Sequence, residues 1–350
     1  MTTGDAESAA PEQVKMRMNQ AIARALADEM ASDPSVVVYG EDVALAGGVF
    51  KTSVGLLDAF GPSRVRDTPI SEMAICGTAV GAAIGGLRPV VEVMFVEFYG
   101  IALDQVTTQA AKLHYLTGGA VTVPAVFRGS CGAGRGFGAT HSQTLETWFL
   151  ACAGLKVVVA SGADSAYGLL RAAIRDDGPV VFLEPKALYG ERQEVAIGDT
   201  AIATLGVAHV ERSGDDVTIV SLGNTVSRSL TAAAALDADG ISCEVVDLRT
   251  IRPWDRDTVL GSVARTGRLV VVEENPLTGG WGNEIAGTVA AELYGQLGAP
   301  VARVCCPDVP VPHNRELEAR FVPTPDYIAG QVRHLIETGR RPEHWWEVAS

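Results

Sequence analysis

The chain has no CxxC pair, no histidine spacing that fits a metal site, no GxGxxG signature and no apolar run long enough to cross a bilayer. The six cysteines, at 76, 131, 152, 243, 305 and 306, are unpaired in spacing, and several sit in apolar runs. They read as buried free thiols in a reducing compartment, not as a disulfide framework. The histidines at 114, 209, 313, 334 and 344 match no zinc pattern. The longest apolar stretch, Met73 to Leu87, is too short and too rich in glycine for a membrane span. The opening MTTGDAESAAPEQ has neither an apolar h-region nor an arginine, which argues against a secretory signal or transit peptide and for the cytoplasm. Basic residues are few, 28 against 42 acidic ones, for a net charge of −14. An acidic surface repels phosphate backbones, so nucleic acid is not an expected partner. There is no low-complexity segment and no short-period repeat.

What is present is an alternation of short β-branched runs with helical stretches. At 350 residues and 47% apolar content the chain can fill two cores. We expect disorder over residues 1–12, a first domain over 13–190, a linker over 191–212, a second domain over 213–340 and a tail over 341–350. In the first domain the spacing predicts a helix over 14–30, a strand at 36–39, a loop around Gly47-Gly48, a strand at 89–95 and a helix over 98–115. Further strands are predicted at 123–127, 155–160 and 180–183, around a helix at 164–174. The second domain repeats the pattern, with strands at 217–222, 243–248, 268–272 and 301–305, each followed by a helix. Strands separated by helices form right-handed βαβ units, so the fold class is α/β with two doubly wound domains and mostly parallel sheets. The tail with Trp345-Trp346 is expected either to fray or to clamp a partner, and an exposed tryptophan pair favours the clamp slightly.

The stretch from Asp67 to Met73, DTPISEM, organises the rest. Pro69 biases Thr68 toward an extended backbone, Ser71 is a good helix N-cap, and Glu72 falls in the first turn. The helix that follows is almost all small or apolar and is expected to be buried. On spacing alone, Glu72 is explained by the positive end of that helix. The sharper reading is a carboxyl group held in an apolar pocket to exchange a proton with a ligand. Glu41 and Asp42, just past a strand, lie where α/β proteins place ligands. The glycine-rich segment 129–138 reads as a flexible loop carrying His141 and Ser142, because Phe137 fills the last glycine place of a dinucleotide motif.

The run DTPISEMAICGTAVGAAIGGLRPVVEVMF resembles the β subunit of the E1 component of 2-oxo acid dehydrogenase complexes, a group that includes pyruvate, branched-chain and acetoin dehydrogenases. The resemblance continues through LDQVTTQAAKLHYLTGG, THSQTLE, GLKVVVAS, VVFLEPKALYG, VVDLRTIRPWD and VPVPHN. It implies a transketolase-like pyrimidine-binding domain followed by a transketolase C-terminal-like domain, and thiamine diphosphate as cofactor. In that family a glutamate bonds a ring nitrogen of the aminopyrimidine and shifts its amine toward the basic imino form; Glu72 stands at that position. Phe98 matches the aromatic residue packed on the pyrimidine, Ile70 a backbone and packing contact, and His141 the active-site histidine. Met94 replaces the glutamine of some relatives. Glu41 and Asp104 match acids that line a water path between active sites, and Ile101 stands where some relatives add another. Relatives bind potassium through backbone groups matching Ala125, Ala173, Ile174, Asp176 and Gly178; an ordinary Asp-Gly helix stop explains the same residues.

No GDG motif occurs; the nearest are Gly198-Asp199-Thr200 and Gly214-Asp215-Asp216. Related enzymes use that motif to hold Mg²⁺ and the diphosphate. The resemblance therefore implies an E1 α subunit that supplies the Mg²⁺ side, an α2β2 tetramer, and an E2 acyltransferase whose lipoyl group receives the acyl product. The implied reaction is oxidative decarboxylation of a 2-oxo acid. Pyruvate is the first expectation, with branched-chain 2-oxo acids and acetoin as alternatives. A non-catalytic scaffold and a nicotinamide-dependent dehydrogenase are the rivals from other classes.

Overall fold

The computed structural model describes residues 12–347. The disorder expected at the N-terminus falls outside those residues except for Glu12, which already belongs to a strand. That strand, β1 (Glu12–Arg17), pairs antiparallel with β8 (Arg192–Ile197), Val14 opposite Val195. Two expectations are corrected here. The first helix, α1 (Met18–Ser32), begins four residues late, because Val14-Lys15-Met16-Arg17 also alternates with period two and a partner strand is available. The supposed linker 191–212 supplies that partner, and its far end forms β9 (His209–Arg212) of the second sheet.

The first domain is built on a seven-stranded sheet in the order β12-β6-β7-β5-β4-β2-β3. Its strands are β2 (Val36–Gly40), β3 (Val65–Asp67), β4 (Arg88–Phe95), β5 (Val126–Cys131), β6 (Lys156–Val159) and β7 (Val180–Pro185), all mutually parallel. Both faces are covered, which is why every residue of β5 and β7 is buried, the charged Arg128 and Glu184 included. The seventh strand, β12 (Thr250–Arg252), arrives from the second domain and pairs antiparallel with β6. Helices α1 and α6 (Ala163–Arg175) cover one face and are tied by a buried ion pair, Arg171 Nε to Glu29 Oε1 at 2.6 Å. The short helices α2 (Leu56–Phe60), α4 (Ala111–Leu116) and α5 (Thr147–Leu150) close the loops, and α3 (Glu72–Ile84) packs on β4.

The single helix expected over 98–115 is three pieces: a 3-10 turn (Val96–Ile101), a π segment (Asp104–Ala110) and α4. The Thr107 hydroxyl donates to the Leu103 carbonyl at 2.8 Å, a back-bond that loosens the regular ladder. Strand β5 starts at Val126, two residues past Pro124, which has no N–H to give. The loop around Gly47-Gly48 is a tight turn, with Gly48 N bonded to Asp42 O at 2.9 Å and Ser53 N to Gly47 O at 3.1 Å.

The second domain is a five-stranded sheet, β14-β13-β10-β11-β9, parallel except for β9. Its strands are β10 (Val217–Ser221), β11 (Cys243–Asp247), β13 (Leu269–Pro276) and β14 (Ala302–Cys306). Its helices are α7 (Asn224–Leu236), α8 (Arg256–Thr266), α9 (Gly282–Glu292), α10 (Arg315–Phe321) and α11 (Pro325–Thr338). The tail folds back on α11: Tyr327 Oη lies 3.0 Å from His344 Nδ1, and Trp346 stacks on His344 at 4.4 Å. Trp345 stays exposed and Trp346 is only half-exposed, so the pair is not equally open. Residues 348–350 lie outside the described residues.

Candidate active site at the carboxyl edge of the first sheet

The turn between β3 and α3 sets the position of Glu72. The Asp67 carboxylate accepts from Ala44 N at 2.7 Å and Leu45 N at 3.2 Å, and Thr68 N donates to Gly40 O at 3.0 Å. These bonds fasten the turn to the loop after β2. Pro69 and Ile70 then swing outward, and Ile70 is 81% exposed. Ser71 occupies the N-cap position as expected, but its hydroxyl makes no capping bond. Glu72, the first residue of α3, is only 4% exposed, and no described residue donates a hydrogen bond to its carboxylate. Neither of its oxygens is among the fully shielded polar atoms that lack a partner, so the carboxylate keeps an opening through which a ligand can reach it. The helix behind it is not buried all round, contrary to expectation: Ile75, Cys76, Ala79 and Val80 face the core, whereas Met73 and Ile84 are exposed. An apolar helix face left open beside a functional turn is a surface made to be covered.

Glu41 stands one residue past β2, buried, and close enough to Glu72 to feel its charge. Burial first, then the charges of Glu72, Asp42 and Glu92, raise its pKa. Burial and Glu72 together push the Cys76 thiol up to about 12, so this cysteine is inert packing. Beneath them runs a buried ion network. Arg128 on β5 donates from Nε to Glu184 Oε1 at 2.7 Å, from Nη2 to Glu184 Oε2 at 3.1 Å, and from Nη1 to Glu92 Oε2 at 3.1 Å. Thr52 Oγ1 and Tyr189 Oη donate to the same Glu92 Oε2 and Glu184 Oε2 atoms, at 3.1 and 2.8 Å. Burial opposes charge on Arg128, but the two carboxylates outweigh it.

The second half of the edge is aromatic. Phe95 ends β4, and Phe98 follows in the 3-10 turn. Their rings meet edge-on at 5.7 Å, and the His141 imidazole meets Phe95 at 4.8 Å and Phe98 at 5.5 Å, also edge-on. Thr140 Oγ1 lies 2.9 Å from His141 Nδ1. The structure thus brings Phe98 and His141 together, and sets them at the same sheet edge as Glu41 and Glu72. Met94 contributes its carbonyl, which accepts from Ser130 Oγ at 2.5 Å; its side chain is half-buried.

The loop carrying His141 was expected to be flexible and is instead pinned. Gly132 N donates to Gln143 O at 2.8 Å and closes it, and Gln143 N donates to Glu97 Oε1 at 2.7 Å. Ala133 N donates to Glu274 Oε1 at 2.6 Å, and Gly134 N and Gly136 N reach Glu318. Gly132 has φ +81°, and a Cβ there would come within 2.9 Å of Glu274 Oε1, so a side chain would be strained and would displace that carboxylate. Lys186 is fully buried below this loop, its ammonium 5.4 Å from the Phe95 ring centre and without a hydrogen-bond partner. Burial lowers its pKa, against the charges of Cys131, Glu97, Glu274 and Glu318.

Other expected positions are less engaged. Asp104, on the π segment, accepts from Gln105 Nε2 at 3.2 Å and is exposed, as is Ile101. At the end of α6, Arg88 Nη1 donates to the carbonyls of Ile174 and Asp176, both at 3.0 Å, and Lys156 Nζ donates to Asp176 Oδ1 at 2.8 Å. Gly178 N donates to the same oxygen at 2.8 Å, the Ala173 carbonyl receives Asp176 N at 3.4 Å, and Ala125 O receives Val180 N at 3.0 Å. The Ala125, Ala173, Ile174 and Asp176 carbonyls expected to hold potassium therefore already have protein donors. Among the described residues no three His, Cys, Asp or Glu side chains group to hold a metal.

Sequence reasoning missed Phe95, Arg128, Lys186, Glu274 and Glu318. Charged residues inside apolar runs, as in VFRGS and FLEPK, were the available signal for Arg128, Glu184 and Lys186. Glu274 and Glu318 gave none, since their bonds span more than 130 residues.

Residues 14–192 match the transketolase pyrimidine-binding domain and residues 206–328 the transketolase C-terminal domain, and the chain belongs to the transketolase family. The mitochondrial pyruvate dehydrogenase E1 component subunit beta-2 of Oryza sativa subsp. japonica is 47% identical over 317 residues, 90% of this chain and 84% of that one. The acetoin:2,6-dichlorophenolindophenol oxidoreductase subunit beta of Cupriavidus necator is 43% identical over 336 residues, covering 93% and 99%. Among transketolase-type chains this one is of the E1 β-subunit kind. A solved chain, split gene transketolase as an inactive beta4 tetramer, superposes with a TM-score of 0.77 at 25% identity, covering 93% of this chain and all of that one.

Proposed function

We propose that this chain is the β half of a thiamine diphosphate-dependent 2-oxo acid dehydrogenase, with pyruvate as substrate and the lipoyl group of an E2 acyltransferase as acceptor. The observation that carries the reading is the Glu72 carboxyl: buried, without a donor, and beside an open apolar face. Such a carboxyl is free to share a proton with a group from outside the chain, and the ring nitrogen of an aminopyrimidine, an acceptor until it is protonated, is such a group. When bound, the cofactor supplies the nucleophilic carbon. Glu72 then holds a proton at the pyrimidine ring, Phe98 packs on that ring, and Ile70 gives backbone and packing contact. Glu41, with its pKa raised, keeps a second carboxyl close to Glu72. His141, held edge-on by Phe95 and Phe98, orients the substrate carbonyl and assists acyl transfer.

The partner is an E1 α subunit in an α2β2 tetramer. The exposed Leu45, Ile70, Met73 and Ile101 offer it an apolar surface next to the site. Mg²⁺ and the diphosphate are assigned to α, since this chain carries no GDG motif. Potassium at the α6 turn would share the Ile174 and Asp176 carbonyls with Arg88. The cytoplasm is the proposed location, on six free thiols of which five are buried. Acetoin is the second reading, favoured by the relative from Cupriavidus necator. The test is co-expression with the α-type partner and assay of pyruvate, branched-chain 2-oxo acids and acetoin with an artificial electron acceptor. Activity on none of them removes the proposal, as does tight Mg²⁺-dependent cofactor binding by this chain alone.

A further inference from the structure

Glu318 is a buried carboxylate of the second domain whose bonds all serve the first. It sits on α10, whose N-cap Asn314 accepts from Glu316 N at 2.9 Å and Leu317 N at 3.2 Å. Its Oε1 accepts from Gly134 N at 3.0 Å and its Oε2 from Gly136 N at 2.9 Å. Alternate amides converging on one anion form a nest, and bonds to a charged acceptor are the strong kind. Both glycines have positive φ, +101° and +70°, which side-chain-bearing residues rarely adopt. The neighbouring Ala133 is buried in a small cluster with Cys306, Val311, Phe321 and Val322, all from the second domain. A Cβ on Gly138 would meet His313 at 3.4 Å, so the loop lies directly on the VPVPHN turn. The closure bond from Gly132 N to Gln143 O makes this clamped stretch and His141 parts of one ring of chain.

We propose that Glu318 is a positioning residue for the reaction, acting through the Gly134 and Gly136 amides to hold the loop that carries His141. The proposal rests on the role given to His141 above. It makes the second domain a working part of the active site as well as a surface for partners. Its chemistry is positional: no bond forms or breaks at Glu318, and the substrate never touches it.

The test uses the complex with the α partner, in wild type, Glu318→Ala, Glu318→Gln and His141→Ala. Three quantities are read: kcat and KM for the 2-oxo acid, the rate of trypsin cleavage after the exposed Arg135, and thermal stability. In Glu318→Ala the cleavage should accelerate about tenfold or more, as the loop opens without two charge-assisted bonds. The same variant should lose about 10²-fold in kcat with KM unchanged, the scale of a 1 Å misplacement. Glu318→Gln keeps one acceptor and turns an N–H against the other amide, so it should fall between the two. If the alanine variant does not fold, the isosteric glutamine variant decides. Wild-type cleavage in a folded variant overturns the proposal, and so does a loss of kcat with Arg135 still protected. His141→Ala separates the two readings. Full activity there removes the histidine's role, while Arg135 cleavage in the Glu318 variants still reports on the clamp itself.

Discussion

Glu41 and Glu72 are neighbouring buried carboxylates, 8% and 4% exposed, and the charge of Glu72 adds to the burial that raises the pKa of Glu41. Neutralising one should therefore ease the other. Glu72→Gln is expected to cut cofactor-dependent decarboxylation by about 10²–10⁴-fold, the usual weight of a proton-handling group. Thermal stability should hold or rise, because no described residue bonds that carboxylate and its charge adds to the burden on Glu41. A folded Glu72→Gln complex that decarboxylates its substrate normally would end the assignment.

The Arg128 network makes a stability prediction with no catalytic content. Arg128→Met leaves Glu92 and Glu184 buried against each other, and should destabilise the chain by about 3–5 kcal/mol. The triple change Arg128→Met, Glu92→Gln, Glu184→Gln should recover part of that loss, since no charge remains unpaired. Urea unfolding of the three proteins measures both; equal midpoints for wild type and Arg128→Met would show that the network is not holding the sheet.

Glu146 predicts a pH dependence. Burial raises its pKa to about 7 in the folded chain, against an ordinary 4.5. The folded state thus binds the proton more tightly. The stability this contributes is full below pH 4.5 and is lost as pH rises through about 7. Glu146→Gln should gain up to about 3 kcal/mol relative to wild type at pH 8, and little at pH 4.5. Melting temperatures of both proteins across that range test it; parallel profiles would contradict it.

Arg88 carries the fourth prediction. Arg88→Gln vacates the carbonyls of Ile174 and Asp176, with an expected cost of about 1–3 kcal/mol. Potassium should return part of that loss where choline does not. A melting temperature equally indifferent to both salts in the variant would mean that the turn has no use for a cation.

Much of this was legible in the sequence. Valine-rich runs at 36–38, 90–93 and 217–220 marked strands of both sheets because burial on both faces leaves few polar positions, Glu92 and Thr218 among them. The site was legible where a local rule acts: Pro69 and Ser71 announce the turn that ends at Glu72. It was not legible where a distant partner decides. Residues 14–17 satisfy a helix and a strand equally until β8 is known. The glycines after β5 look mobile until Glu274 and Glu318 meet their amides. The open face of α3 is invisible to hydropathy, which scores Met73 and Cys76 alike although only Cys76 is buried.

Strand β12 has a consequence for any attempt to divide the molecule. Its pairing with β6 caps a rim of the first sheet that would otherwise be left open. A fragment ending near residue 212 would keep every expected catalytic group and still leave Val157 and Val158 with bare backbone, an invitation to self-association. The two halves are distinct in sequence, yet neither is a free-standing module: the later half has lent the earlier one its final strand.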